Sequence, residues 1–146
     1  MSGKIASGFS IVSRLAQGAD YTNAARAMMM AVGCIMSQRC HTNQCPVGVA
    51  TQDPKRARAL NVPDKTERAW RYQDGTVRDA MQLMGSMGVS NPSGVQPWML
   101  MRRVDEVSSR SYAELFDWLQ PGELLDDPPV SWAADWERAH PDRFAA

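Results

Sequence analysis

Three cysteines, Cys34, Cys40 and Cys45, lie within twelve residues of one another. The segment that carries them reads GCIMSQRCHTNQCPVGVATQDP (residues 33–54), which is polar and is interrupted by proline and glycine. Thiolates are soft ligands that suit iron–sulfur clusters, zinc and copper(I). Clusters with four metal corners usually take four cysteines, so three cysteines without a fourth suit a three-iron cluster, with one thiolate for each iron. A proline directly after a ligand cysteine, as in Cys45-Pro46, also recurs in ferredoxin sequences.

Two other interpretations of the cysteines remain open on spacing alone. Zinc could be bound by the three cysteines together with His41, although adjacent ligands at 40 and 41 strain a tetrahedral site. Buried free cysteines acting as small hydrophobic side chains are the second alternative. Such cysteines rarely cluster in a polar loop. The pattern therefore favours an iron–sulfur site over both alternatives.

The elements around the cysteines follow an α/β rhythm. Apolar residues at helical spacing predict a helix over 11–15 that Gly18 ends, and Tyr21 and Thr22 favour a short strand over 19–23. The alanine- and methionine-rich run 24–35 predicts a second helix. Periodicity then disappears over 34–54, which predicts a loop that is long for a compact domain unless something holds it.

The rest of the chain is predicted to be mostly helical. Pro63 is suited to the first turn of a helix that runs to Met87 and is stopped by Gly88. Short helices are predicted over 97–104 and 111–119, the second with Ser111 as N-cap. Beyond residue 121 we predict a tail that lies on another surface, in which His140 is exposed to solvent.

Composition excludes several classes of protein. The 146 residues carry 16 basic and 16 acidic side chains, so nucleic acid and acidic membranes are not expected as partners. The N-terminus has no signal-peptide core, and the longest apolar stretch is about half of what spans a bilayer. An odd number of cysteines argues against a secreted disulfide framework. We therefore expect a cytoplasmic protein.

The cysteine segment resembles the iron–sulfur loop of the FMN-binding glutamate synthase family, and sequences on both sides of it agree. The likeness extends over nearly the whole chain and is most specific between residues 18 and 54. It includes the stretches Gly18-Ala19-Asp20, Asn23–Met29, Pro63–Arg68, Met101–Arg103 and Arg110–Leu115. The resemblance implies a (β/α)₈ TIM barrel that carries FMN and a [3Fe–4S] cluster, with Cys34, Cys40 and Cys45 as the three cluster ligands.

The resemblance also implies a function. Glutamate synthases make glutamate from 2-oxoglutarate and glutamine-derived ammonia. Electrons pass from NADPH or ferredoxin through the cluster to FMN, which reduces 2-iminoglutarate. We accordingly expect this chain to be the C-terminal part of a glutamate-synthase-like oxidoreductase. No residue of the chain is predicted to be catalytic.

An FMN phosphate site follows from the same resemblance. Ser2-Gly3-Lys4 resembles the loop after barrel strand seven, and residues 21–23 would then be strand eight. In barrel enzymes these two loops commonly bind a phosphate. The resemblance places the FMN phosphate against Ser2, Gly3 and Lys4 on one side and Ala25 and Arg26 on the other.

The expected fold is thus α/β by class and mainly α by residue count. It is a C-terminal fragment of a TIM barrel, about strand eight and its helices, followed by a mostly helical extension. We predict three parts: the end of the barrel (1–33), the iron–sulfur loop (34–54), and the helical extension and tail (55–146). One strand cannot close a barrel, so a chain carrying the remaining strands is an expected partner. A non-catalytic remnant or a Cys3His zinc module is the alternative.

Overall fold

A computed structural model describes residues 1–139 and 142 of the chain. About half of the residues are helical, which confirms the prediction of a mainly α protein. The chain divides into two units, Met1–Leu100 and Met101–Ala146. His140 lies outside the described residues. Within the described part, no helix is both long and apolar enough to cross a membrane.

The first unit is built on two packed helices, α1 (Gly8–Leu15) and α4 (Val62–Ser86). Val12 of α1 is buried in this helix packing, as are Ala80 and Met84 of α4. Gly8 lies so close to α4 that a Cβ at this position would come within 2.3 Å of the Ala80 backbone nitrogen. Only glycine therefore permits this approach.

The predicted long helix is confirmed almost to the residue. Asn61 caps the start of α4, with its side chain accepting a hydrogen bond from the Asp64 amide at 3.1 Å. At the other end Gly88 adopts φ +73°, and the Val89 amide donates to the Met84 carbonyl at 2.9 Å. This is the Schellman pattern that glycine supplies at helix ends. The same pattern ends α1 at Gly18, as the sequence predicted.

Two expectations for the region between α1 and the cysteines are corrected. The helix predicted over 24–35 is shorter: α2 spans Ala25–Ala31, because Gly33 at φ +106° ends it with a further Schellman pattern. The strand predicted over 19–23 is reduced to one parallel bridge between Ser2 and Asn23. A strand needs a partner along its length, and Ser2 is the one described residue that forms a β-bridge with this segment.

The cysteine segment is irregular, as predicted, and leads into a short helix. It contains a single 3₁₀ turn at Cys40–Thr42 and ends at Asp53, whose side chain caps α3 (Pro54–Ala57) by accepting from the Lys55 amide at 2.8 Å.

The second unit begins with a hairpin where the sequence predicted a helix. After a 3₁₀ turn at Pro97–Met99, strand β1 (Met101–Arg103) pairs antiparallel with β2 (Ser109–Ser111). The helix predicted over 97–104 is therefore wrong. The intervening turn is organised by Asp105, whose Oδ1 accepts from the Val107 and Ser108 amides at 2.9 and 2.8 Å.

The remaining elements of the second unit are short helices. Ser111 is the N-cap of α5 (Tyr112–Leu115), as predicted, but this helix ends well before residue 119. The Trp118 indole donates to the Tyr112 carbonyl at 3.1 Å. In a longer helix, a backbone amide would donate to this carbonyl instead. Two more helices, α6 (Glu123–Asp126) and α7 (Val130–Arg138), lie in the segment predicted to be a tail. That this segment lies on another surface stays a prediction.

Candidate functional site

Cys34 is positioned by the end of helix α2. Its amide donates to the Met29 carbonyl at 2.9 Å, in the Schellman pattern that Gly33 closes. The thiol is half-buried, and its sulfur accepts a hydrogen bond from the Met36 amide at 3.4 Å. The first cysteine is therefore fixed by a defined helix end and has a backbone donor directed at its sulfur.

Cys40 lies in the 3₁₀ turn and is exposed to solvent. This turn ends at Asn43, which adopts the left-handed conformation at φ +61°. The Asn43 side chain holds the far end of the loop: its Oδ1 accepts from the Thr51 hydroxyl at 2.9 Å and from the Gln52 amide at 2.6 Å. Residues 43–52 are thus closed into a ring that contains the third cysteine.

Cys45 is buried inside this ring, with 5% of its surface exposed. Backbone N–H groups near the sulfur, that of Ala50 first, then Val47, with smaller contributions from Val49 and Gly48, hold the pKa of the Cys45 thiol below its usual value. Burial opposes this shift. A metal ion binds the thiolate form of cysteine. N–H donors that stabilise this thiolate therefore make Cys45 better suited to bind a metal.

Gly48 is the residue that lets this turn pack against α3. It has φ +75°, and a Cβ there would lie 2.6 Å from the Arg56 carbonyl oxygen. The amides around the Cys45 sulfur therefore depend on a backbone position that only glycine fits.

The structure does not gather the three cysteines into one metal-sized group. Among the residues that it describes, no set of three Cys, His, Asp or Glu side chains is arranged to hold a metal ion, and His41 adds none. The chain between Cys34 and Cys40 holds two non-glycine residues in the left-handed region, Met36 and Gln38, both at φ +57°. Such residues cost roughly 1–2 kcal/mol each, so this connection carries backbone strain.

The residues predicted to bind phosphate lie on two adjacent segments. The parallel bridge between Ser2 and Asn23 brings the Ser2–Lys4 loop beside the segment that enters α2 at Ala25. Lys4 and Arg26 are both exposed, and neither forms an ion pair within the described range. The first turn of α2 has no side-chain cap, because Ala24 occupies the N-cap position. Backbone donors and two cations are therefore free on this surface.

An apolar cleft of about 610 Å³ opens beside that surface, within the first unit. It is lined by residues of helices α1, α2 and α4 and of the segment that enters α2. The residues that line it include Ile5, Ile11, Ala24, Met28, Met29 and Tyr72. Met28 and Met29 of α2 line this cleft, and the neighbouring Met30 is 43% exposed.

Two residues that organise the site were not singled out from the sequence. Asn43 closes the ring around Cys45. The sequence feature that could have indicated this role is that asparagine tolerates left-handed backbone, in a loop rich in turn residues. Gly8 brings α1 against α4, and no local pattern marks it, because the close approach involves a residue far away in the sequence.

Comparison with known proteins extends over most of this region. A family model for the conserved region in glutamate synthase matches residues 1–90. The glutamate synthase large subunit-like protein YerD of Bacillus subtilis is 44% identical over 91 residues, which are 62% of this chain and 17% of that protein. Ferredoxin-dependent glutamate synthase of Pyropia yezoensis is 35% identical over 104 residues, 70% of this chain and 7% of that protein.

An archaeal-type NADPH glutamate synthase of Thermotoga neapolitana is 30% identical over 90 residues, 62% of this chain and 18% of that protein. The chain thus spans less than a fifth of each of these relatives. No solved structure matches the chain. The family model covers all three cysteines and both segments of the predicted phosphate surface. The chain belongs to the glutamate synthase family.

Proposed function

We propose that Cys34, Cys40 and Cys45 bind a [3Fe–4S] cluster that serves a glutamate-synthase-type oxidoreductase. The observation that carries this proposal is the ring around Cys45. A buried sulfur surrounded by backbone N–H donors is a common environment for a cluster ligand, because those donors stabilise the thiolate and set the cluster potential.

The other two cysteines complete the donor set. Cys34 follows a fixed helix end and accepts a backbone N–H, whereas Cys40 is exposed on a turn. A cluster would bring the three sulfurs into one group, because each of its irons takes one thiolate.

When bound, the cluster would supply one-electron transfer to FMN, and the flavin would supply reduction of 2-iminoglutarate. The substrates in this proposal are 2-oxoglutarate and glutamine-derived ammonia. Relatives are named as NADPH-, NADH- and ferredoxin-dependent enzymes, so the donor of this system is proposed to be a nicotinamide or a ferredoxin.

The proposed FMN phosphate contacts come from Ser2, Gly3, Lys4, Ala25 and Arg26. Two observations support these contacts. The β-bridge sets the Ser2–Lys4 loop beside the start of α2, and Lys4 and Arg26 form no ion pair with a described residue. Here the chain would bind the phosphate through amides and cations and would leave the flavin ring to other residues.

We also propose that the chain works with the remaining strands of a TIM barrel, in the same polypeptide or in another. Residues 19–23 present a backbone edge with one bridge, and Tyr21 beside it is 71% exposed. A segment with one β-bridge and an exposed ring is what a neighbouring strand would cover.

Metal analysis separates the cluster from its zinc alternative. The protein is purified without oxygen, and iron, sulfide and zinc are measured on the wild type, on each Cys→Ser variant and on His41→Ala. The proposal predicts iron with sulfide, lost in the cysteine variants and kept in His41→Ala. Zinc that disappears in His41→Ala would establish the Cys3His module instead, and an absence of any metal would support the non-catalytic remnant.

A further inference from the structure

Two arginines face each other across the hairpin of the second unit. The register pairs Arg102 of β1 directly with Arg110 of β2. Residues directly opposite in an antiparallel pair lie on the same face of the sheet, with Cα atoms about 4.5–5.5 Å apart. Like charges in this position destabilise the hairpin, so some other interaction is expected to compensate them.

The described part of the chain provides little compensation. Arg102 is exposed, and none of the described carboxylates forms an ion pair with it. The Ser111 side chain first, then the Ser111 amide and the charge of Arg110, lower the pKa of the Glu114 carboxyl, but its Oε2 already accepts from the Ser111 amide at 2.7 Å and the Ser111 hydroxyl at 2.6 Å.

Asp105 of the turn is engaged within the turn, and among the described residues Glu106 forms no ion pair with Arg102 or Arg110. Both Asp105 carboxylate oxygens accept hydrogen bonds from the turn itself, Oδ1 from the Val107 and Ser108 amides and Oδ2 from the Ser108 hydroxyl. Arg103 lies on the opposite face, and its guanidinium donates to the Glu106 carbonyl at 3.0 Å. The face that carries Arg102 and Arg110 therefore presents two guanidinium groups whose N–H donors are available to a ligand.

We propose that Arg102 and Arg110 form a binding site for a phosphate group, either free phosphate or the phosphate of a small metabolite. Each guanidinium presents a planar fork of N–H donors that matches a phosphate bidentately. A phosphate dianion neutralises both charges, whereas a single carboxylate neutralises one. The site lies wholly in the second unit and does not depend on the proposed cluster or on FMN.

The test measures binding of inorganic phosphate and of glycerol phosphate to the full chain, at constant ionic strength set with chloride. Binding is followed by calorimetry and by the NMR signals of the arginine Nε–H groups. We expect saturable binding that shifts the Arg102 and Arg110 signals, and about tenfold weaker affinity in Arg102→Gln and in Arg110→Gln. Preference for inorganic phosphate would identify the free ion as ligand, and preference for glycerol phosphate would identify a phosphomonoester.

Arg103→Gln is the matched control, because it removes the same charge from the other face of the same strand. Its affinity is expected to stay at the wild-type value. Equal weakening in Arg103→Gln would show diffuse charge attraction and overturn the site, as would an absence of saturable binding.

A stability measurement separates ligand binding from a structural role. In phosphate-free buffer, Arg102→Gln should melt at the wild-type temperature or above it, because like-charge repulsion is relieved. A lower melting temperature without phosphate would contradict the proposal. Arg102→Lys keeps the charge and loses the bidentate fork, so it should also bind phosphate more weakly than the wild type does.

Discussion

The amide of Gly8 donates to Asp79 Oδ2 at 2.9 Å, which joins the first turn of α1 to the C-terminal half of α4. The contact links residues 71 positions apart in the sequence. It also positions the segment that precedes the cysteines, because α4 packs against α2 as well as α1. Helix α2 in turn ends at the glycine before Cys34, so the first cysteine depends on this packing.

Gly8→Ala should therefore destabilise the first unit. The added Cβ would meet the Ala80 nitrogen and the Asp79 backbone, so the two helices must separate. We expect a loss of about 1–3 kcal/mol in the free energy of unfolding, measured by urea denaturation. Gly75→Ala is the control: it lies in the same helix as Asp79 with nothing within 4 Å, and it should stabilise by up to about 1 kcal/mol. Equal changes in the two variants would refute the close-packing account.

Gly48→Ala should disturb the ring around Cys45. Both Gly48 and Gly88 have left-handed backbone, with φ +75° and +73°, but only at Gly48 does a Cβ meet other atoms. Gly88→Ala should thus report backbone strain alone, about 1–2 kcal/mol. We expect Gly48→Ala to lose more stability than this and to retain less iron after anaerobic purification. Similar losses and unchanged iron would show that the contact with Arg56 is unimportant.

Lys4→Ala and Arg26→Ala should lower FMN retention in the assembled enzyme. Each removes one cation from the surface proposed to bind the phosphate, and a charged hydrogen bond to phosphate is worth about 1.5–3 kcal/mol. FMN content is measured by flavin absorbance after gel filtration. Arg71→Ala is the control, since Arg71 is exposed on α4 and pairs with Glu67 at 2.7 Å. Flavin content that is unchanged in Lys4→Ala and Arg26→Ala would contradict the predicted contacts.

The start of α5 should lose stability in acid. Hydrogen bonds from the Ser111 side chain first, and then from its amide, hold the pKa of the Glu114 carboxyl below its usual value. Because the pKa is lower in the folded state, this contribution is present above the unfolded pKa and is lost as pH falls through the folded pKa. Ser111→Ala should raise the Glu114 pKa, measured by carbon NMR titration, whereas exposed Ser109→Ala should not. An unshifted titration in Ser111→Ala would overturn this assignment.

Helix ends were predictable where local chemistry sets them. The long helix was predicted over 63–87 and spans Val62–Ser86, because Pro63 and Gly88 act within one turn of its ends. The residues between 19 and 23 were predicted as a strand and form one bridge, because pairing depends on residues that propensity does not describe. Residues 101–103 were predicted as helix and form a strand for the same reason.

In the candidate site, too, features set by local sequence were predictable and features set by distant packing were not. Cysteine type and spacing indicated candidate ligands, and glycine and proline indicated an irregular loop. The Asn43 contact that closes the ring, and the amides directed at the Cys45 sulfur, depend on backbone angles at several positions. Those angles are set by packing against α3, which spacing alone does not reveal.

Electron paramagnetic resonance of the anaerobically purified, oxidised protein tests the proposed cluster most directly. Three high-spin ferric ions carry an odd number of unpaired electrons, so an oxidised [3Fe–4S] cluster gives a signal that one-electron reduction removes. We predict this signal together with about three iron and four sulfide per chain, and its loss in Cys45→Ser. An oxidised protein without the signal, or one that carries zinc in place of iron, would contradict the account.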